Sequence, residues 1–354
     1  MLWLRAFGIS SRLFEASVNT EHLISFGGRK AAFRGFQLHL RRSGIAMEMN
    51  RLFWWIPMVG TGCVAVAMLT SSGPQPGTTG LHELEKLVVN GRVQNPAPML
   101  PEAVDLAGEA VPLNAFGVRD ALDRELIVNT YHHSSTMLYL KRAARWFPVI
   151  EPILAEMQVP DDFKYLAVIE SGLSQAVSPA GAAGFWQFMK ATAPQYDLEV
   201  NREVDERYHV VKSTYAACQY LLEAREEFGS WALAAASYNM GRSGVRKALQ
   251  AQQVDNYWDL HLNTETARYV FRLLAIKHVF ESPAEHGFDL PPEVLYPPHV
   301  TRSMTVEATI EDLAAFAAHH GTHLKALKTL NPWLVDDRLP ISQGNQYDIL
   351  LPAD

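Results

Sequence analysis

Glu170 closes the segment Asp161-Asp162-Phe163-Lys164-Tyr165-Leu166-Ala167-Val168-Ile169-Glu170-Ser171, in which Phe163, Leu166, Ala167 and Glu170 fall at i, i+3, i+4 and i+7. The spacing carries the apolar face of a helix into a carboxylate, and the two leading acids suit a helix N-terminus. A carboxyl group on such a face loses hydration, which disfavours its charged form and raises its pKa toward the range a general acid needs. The competing reading is a glutamate at a helix end that turns to solvent or pairs with a base.

Three further groups are candidates for binding. Ser171-Gly172-Leu173 leads into Ser178-Pro179-Ala180-Gly181-Ala182-Ala183-Gly184-Phe185-Trp186-Gln187-Phe188-Met189. Gly181 and Gly184 permit close approach, Phe185 and Trp186 offer an apolar wall, and Gln187 offers amide donors and an acceptor, a combination that suits sugars. Read alone, such a loop is more often a corner where helices pack. In Ala236-Ser237-Tyr238-Asn239-Met240-Gly241, Tyr238 and Asn239 are polar candidates or else a buried tyrosine and a helix-end asparagine. Glu265 follows Thr264, read as an N-cap, and stands four residues before Tyr269, so both face one neighbour. Glu265 also fits a purely structural place in a first helical turn.

Metal and cofactor chemistry are not called for. His132, His133, His319, His320 and His323 lie in adjacent pairs without a His-Glu-x-x-His pattern, and the 2 cysteines, Cys63 and Cys218, make neither a zinc spacing nor a disulfide framework. The balance of 38 acids against 31 bases, net −7, argues against nucleic acid as a partner, because such binding needs a basic face.

Taken in order, Glu170-Ser171-Gly172, the Gly-Ala-Ala-Gly-Phe-Trp-Gln run of 181–187, Ala236-Ser237-Tyr238-Asn239-Met240-Gly241 and Glu265-Thr266-Ala267-Arg268-Tyr269-Val270 resemble the successive motifs of lytic murein transglycosylases, above all the membrane-bound lytic murein transglycosylase D group. The resemblance covers roughly 120–354. It implies a goose-lysozyme-like helical domain and a lyase that cuts peptidoglycan glycan strands between N-acetylmuramic acid and N-acetylglucosamine, leaving 1,6-anhydro ends. It makes Glu170 the single catalytic acid and base, and Ser171, Ser178, Gln187, Tyr238, Asn239, Glu265 and Tyr269 substrate-binding or supporting residues. Ser237 stands where alanine is more usual. Two alternatives share these residues: a lysozyme-type muramidase that admits water, and an inactive glycan-binding scaffold.

The elements that must position these groups read as mainly α from 120 to about 282, with no clear alternating strand. Pro148, Pro152, Pro160, Pro179 and Pro194 are expected between short helices, and Cys218 lies on the apolar stripe Val211, Tyr215, Cys218, Leu222 and reads as core. The catalytic domain is assigned to 119–290. A small α+β module follows at 301–354, with a strand over 304–308, helices over 310–318 and 324–330, and a strand over 347–352. Its Leu-Asn-Pro and Ile-x-x-Pro features resemble a LysM carbohydrate-binding repeat, without the usual Gly-Asp-Thr-Leu turn; it binds glycan or only packs on the catalytic domain.

Before 119 the chain reads differently. Residues 52–69 are uncharged, follow Arg51 and contain Ala65 and Ala67, so 49–70 is a signal peptide or membrane anchor and the protein is expected in the periplasm or a membrane of the cell envelope. Cys63 lacks the bulky aliphatic residue three places earlier that lipidation favours. Residues 1–48 read as an extension preceding the true start, at Met47 or Met49, and 71–118 as a Pro-rich linker.

Overall fold

The computed structural model describes residues 97–353 and, before them, only two short antiparallel ladders, β1 (Leu23–Phe26) with β2 (Arg29–Ala32) and β3 (Val88–Val89) with β4 (Arg92–Val93). The chain divides into units Met1–Pro76 and Gly77–Asp354, and every described helix belongs to the second. The signal or anchor over 49–70 lies outside the described residues, as do the extension and the linker up to residue 96 apart from these ladders. Among the described residues, no helix is long and apolar enough to cross a membrane.

The helical domain is built from α1 (Val118–Tyr131), α2 (His133–Glu156), α3 (Lys164–Ser171), α4 (Val210–Phe228), α5 (Trp231–Met240), α6 (Arg242–Gln252) and α7 (Thr264–Glu281). Helix α5 explains how they fit together. Its Ala232, Leu233, Ala234, Ala235, Ala236 and Ser237 are all buried, and short side chains let α4, α6 and α7 approach it closely. Such an all-round buried helix needs a firm start, supplied by Ser230, whose Oγ accepts from the Leu233 N–H at 3.5 Å. Cys218, on α4, is fully buried in this core, and burial pushes its thiol up to about 12.

Charged groups tie the helices at depth. Glu125 on α1, 1% exposed, accepts from Arg268 Nε at 2.7 Å and Nη2 at 3.1 Å on α7. Lys277 Nζ on α7 donates to Asp162 Oδ2 at 2.8 Å, just before α3. Paired this way, each charge keeps the partner that replaces its lost water.

Several boundaries differ from those expected. Pro148 and Pro152 lie inside α2 rather than between helices. Each removes one amide donor, but the buried Ile150, Ile153 and Leu154 keep the helix seated against the core, which outweighs the local loss. Helix α2 is consequently long, 24 residues. The N-cap of α7 is Asn263, whose Oδ1 accepts from Glu265 and Thr266 N–H at 3.1 Å each, and Thr264 is already helical.

The end of the expected linker is also part of the fold. Strands β5 (Asp105–Leu106) and β6 (Glu109–Ala110) form a hairpin, and Leu106, Val111 and Leu113 are buried in the main core. Polar contacts fix it. Ala107 N–H donates to Asp162 Oδ2 at 2.6 Å, and Glu109 accepts from the Trp231 N–H at 2.9 Å at the start of α5. The Pro-rich composition around it resembles a tether because the apolar residues that pack are few and widely spaced.

The C-terminal module is a β-α-α-β unit: β7 (Thr301–Val306), α8 (Leu313–His319), α9 (Leu324–Leu330) and β8 (Tyr347–Pro352). β7 and β8 pair antiparallel from Thr301↔Pro352 to Val306↔Tyr347, so β7 begins earlier than the expected 304 and α8 later than 310. Asn331 accounts for the Leu-Asn-Pro feature. Fully buried, it donates from Nδ2 to the Leu327 carbonyl at 2.9 Å and the Leu350 carbonyl at 2.7 Å, and accepts from the Leu350 N–H at 2.8 Å.

Because Leu106 is fully buried, Leu106→Ala is expected to cost about 3 kcal/mol in urea unfolding. A loss below about 0.5 kcal/mol, the range of exposed tether positions, would remove the hairpin from the core.

Candidate active site

Helix α3 ends one residue after Glu170, and a glycine makes that ending possible. Gly172 takes φ 61° as the left-handed C-cap, its N–H donating to the Val168 carbonyl at 2.8 Å. A Cβ there would lie 2.4 Å from Cε1 of Tyr139 on α2, so no larger residue fits. Arg142 Nη1 donates to the Gly172 carbonyl at 2.9 Å, which fixes the turn from the same side.

Glu170 is half-buried, and what surrounds it comes from other helices. The Tyr269 hydroxyl, on α7 and 1% exposed, donates to its Oε1. Arg272, one turn further along α7, places its guanidinium 5.7 Å from the Tyr269 ring centre and its positive charge within reach of Glu170. Loss of hydration raises the carboxyl to about 7, against the Tyr269 hydrogen bond and Arg272, which lower it; Glu265 adds a small upward push by like charge. The group is thus poised between protonated and ionised near neutrality.

Tyr269 and Tyr238 both stand far above the ordinary phenol range because of burial, with the Glu170 charge adding to it. They remain neutral donors. Tyr238, at the end of α5, donates to the Trp186 carbonyl at 2.8 Å, and its neighbour Asn239 joins α5 to α7: Nδ2 donates to Glu265 Oε1 at 3.1 Å, and Oδ1 accepts from Thr266 Oγ1 at 2.7 Å. Glu265 is exposed in the first turn of α7, so both readings of it have geometry behind them.

The loop after α3 folds on itself. Ser178 Oγ accepts from the Ala182 N–H at 3.0 Å, closing a tight turn. Gln187, at φ 49°, spends its carboxamide NH2 on the Ala176 carbonyl at 3.0 Å and the Gly184 carbonyl at 2.7 Å. Ser171 Oγ donates to the Phe185 carbonyl at 2.9 Å and so clasps the end of α3 to this loop. Trp186 is fully buried, its Nε1–H donating to Thr214 Oγ1 at 2.9 Å. Ser171, Ser178 and Gln187 therefore shape the loop, and the Glu170 carboxyl is bonded by Tyr269, with the charge of Arg272 acting on it from the same helix. Arg272 was not among the residues expected; its position three after Tyr269 and seven after Glu265 on one helix face was the available signal. Of the histidines singled out, His323 caps a helix: its Nδ1 accepts from the Ala326 N–H at 3.1 Å at the start of α9.

A helical domain with one poised glutamate bonded to a buried tyrosine, followed by a β-α-α-β module, defines a class. Residues 148–260 match the family described as transglycosylase SLT domain, and residues 302–354 match the soluble lytic transglycosylase C-terminal LysM-like domain. The chain carries both domains, and the helical one has the lysozyme-like fold. It is similar to membrane-bound lytic murein transglycosylase D of Escherichia coli strain K12, 30% identical over 244 residues that make up 66% of this chain and 51% of that protein. The protein of that name from Escherichia coli O6:H1 gives the same figures, 30% over 244 residues. The chain spans about half the length of these relatives.

Two measurements test the charge balance around Glu170. Below its ordinary 4.5 the carboxyl is neutral whether the chain is folded or not; between 4.5 and about 7 only the unfolded chain ionises, so stability falls as pH rises through that window. Urea unfolding of Glu170→Gln should therefore match the parent near the acid end and exceed it above neutrality by on the order of 2 kcal/mol. A difference independent of pH would show an unshifted carboxyl. In Tyr269→Phe, losing a donor that favours the ionised form should move the Glu170 titration upward, so that the stability difference between Tyr269→Phe with and without Glu170→Gln keeps rising to higher pH before it levels off.

Proposed function

We propose that the protein is a lytic murein transglycosylase that cleaves the bond between N-acetylmuramic acid and N-acetylglucosamine in peptidoglycan without water. The observation that carries the reading is the Glu170 carboxyl accepting from the buried Tyr269 hydroxyl within a domain that matches the transglycosylase SLT family, where loss of hydration pushes it up to about 7. One such carboxyl can serve as acid and then as base; the paired carboxylates of most glycosidases are not required when the substrate supplies its own stabilising group.

The protonated Glu170 carboxyl gives its proton to the glycosidic oxygen as the bond to C1 of the muramic residue breaks. The oxygen of the substrate's 2-acetamido group stabilises the cationic sugar. The C6 hydroxyl of the same sugar then attacks C1, and its proton returns to Glu170, so the enzyme ends as it began and the muramic residue carries a 1,6-anhydro bridge. An intramolecular hydroxyl outcompetes water because its effective molarity is very high. Tyr269 and Arg272 stabilise the carboxylate between the two proton transfers, while burial keeps it basic enough to accept the second.

Substrate contacts are assigned to Tyr238, Asn239, Glu265 and the loop of Ser178 and Gln187, with peptidoglycan glycan strands as the partner. The envelope location rests on the uncharged run 52–69 and on the relatives' membrane-bound designation. The N-terminus of the mature chain distinguishes a cleaved signal from an anchor.

Mass spectrometry of digested sacculi tests the reaction. Muropeptides with anhydromuramic ends, lacking the mass of one water, are expected, and none from Glu170→Gln. Reducing ends at full hydrolysed mass would make the protein a muramidase, and lysis retained by Glu170→Gln would refute the acid assignment.

A further inference from the structure

The C-terminal module shares a seam with the helical domain. Val204, from the helical domain's turn over 199–206, is 1% exposed and belongs to the module's apolar cluster with Leu334, Leu339 and Ile349. Backbone closes the seam: Asp205 N–H donates to the Trp333 carbonyl at 2.9 Å and Val335 N–H to the Glu203 carbonyl at 3.0 Å, on either side of a Val204–Leu334 bridge. The Tyr347 hydroxyl donates to Glu199 Oε2 at 2.8 Å. Trp333, 3% exposed, has its ring 5.5 Å from that of Tyr347 and 5.9 Å from that of His209. Burial pushes His209 down to about 4, so this stack stays uncharged near neutrality.

The next residues of the same segment grip the loop of the candidate site. Arg207, 8% exposed, forms a two-point pair with Asp205, Nε to Oδ1 at 2.9 Å and Nη2 to Oδ2 at 2.6 Å. Its Nη1 donates to the carbonyls of Gly181 at 2.9 Å and Phe188 at 3.1 Å. Gln175 Nε2 donates to the Tyr208 carbonyl at 3.0 Å. Gly184 sits so close that a Cβ would fall 1.9 Å from the Arg207 carbonyl oxygen. The loop 175–188 thus leans on 205–208, and the segment carrying 205–208 is bonded to the module.

We propose that Arg207 is a positioning residue and that the docked module is its buttress: the module holds 203–207, and Arg207 holds the loop whose Trp186 carbonyl orients Tyr238 and whose Phe185 carbonyl clasps Ser171 beside Glu170. Only a planar, bidentate guanidinium can satisfy Asp205 and still reach two loop carbonyls. The module then contributes to turnover through the shape of the cleft, separately from any affinity for glycan. The inference rests on the reading of Glu170 as the acid of the site.

The test uses full-length Trp333→Ala, at the seam, and Arg207→Lys, at the loop, with a soluble peptidoglycan oligosaccharide short enough to occupy the cleft alone. In both variants kcat on this fragment should fall about tenfold or more, with KM changing less, since misplacement of a site from a distance costs turnover. Amide hydrogen exchange over 176–188 should quicken while α7 stays protected. If Trp333→Ala instead weakens only sacculus binding and leaves both fragment turnover and loop exchange at parent values, the buttress is refuted. Should the parent itself not cleave glycan, the proposed function fails and loop exchange alone still decides the inference. Tyr347→Phe, which removes only the hydroxyl bonded to Glu199, repeats the exchange measurement where Trp333→Ala does not fold.

Discussion

A carboxyl group taken out of water prefers to be neutral, and the cost of ionising it is what the surroundings of Glu170 are arranged to adjust. Burial alone would leave the group a poor proton donor, reluctant to become an anion. The Tyr269 hydroxyl and the Arg272 guanidinium restore part of the lost hydration, and the balance comes to rest near neutrality. Much of the helical domain can be understood from the need to hold that balance. Helices α3 and α7, far apart in sequence, must meet at one carboxylate oxygen.

The helices meet there because of small residues and paired charges. The alanines of α5 let it run through the middle of the domain and deliver Tyr238 and Asn239 at its end. Helix α7 carries Glu265, Tyr269 and Arg272 on one side, while Arg268 and Lys277 fasten it to α1 and to the start of α3. Gly172 lets α3 stop immediately after Glu170 and Ser171, where any side chain would meet Tyr139. These devices have little to do with proton transfer in themselves. They set where the Glu170 carboxyl points and how dry it is.

The loop from 175 to 188 depends on a different kind of support, because it is rich in small residues and makes few apolar contacts beyond Phe185, Trp186 and Phe188. Its shape comes from carbonyls and amides satisfied by Ser171, Gln187, Tyr238 and Arg207. Arg207 in turn depends on Asp205 and on backbone bonds to the C-terminal module. A module that resembles a carbohydrate-binding repeat therefore has two of its aromatic rings, Trp333 and Tyr347, turned to the helical domain.

Glu170 was legible in the sequence because the helical period put it on an apolar face, and the ordered motifs around it marked the family and the mainly α class. Contact of Tyr269 with the sugar or with Glu170 was offered only by the family resemblance, while Cys218 was legible as core from its apolar stripe. The sequence by itself could not show that Gln187 and Ser178 spend polar groups on their own loop, since those bonds depend on a turn that only the folded chain forms. Nor could local pattern show that Leu106 packs, that Pro148 and Pro152 lie within a helix, or that Arg207 reaches the carbonyls of Gly181 and Phe188. Residue type and period determined which groups were available and on which faces; tertiary packing decided which of them met, because hydration lost in one place must be replaced by partners drawn from distant parts of the chain.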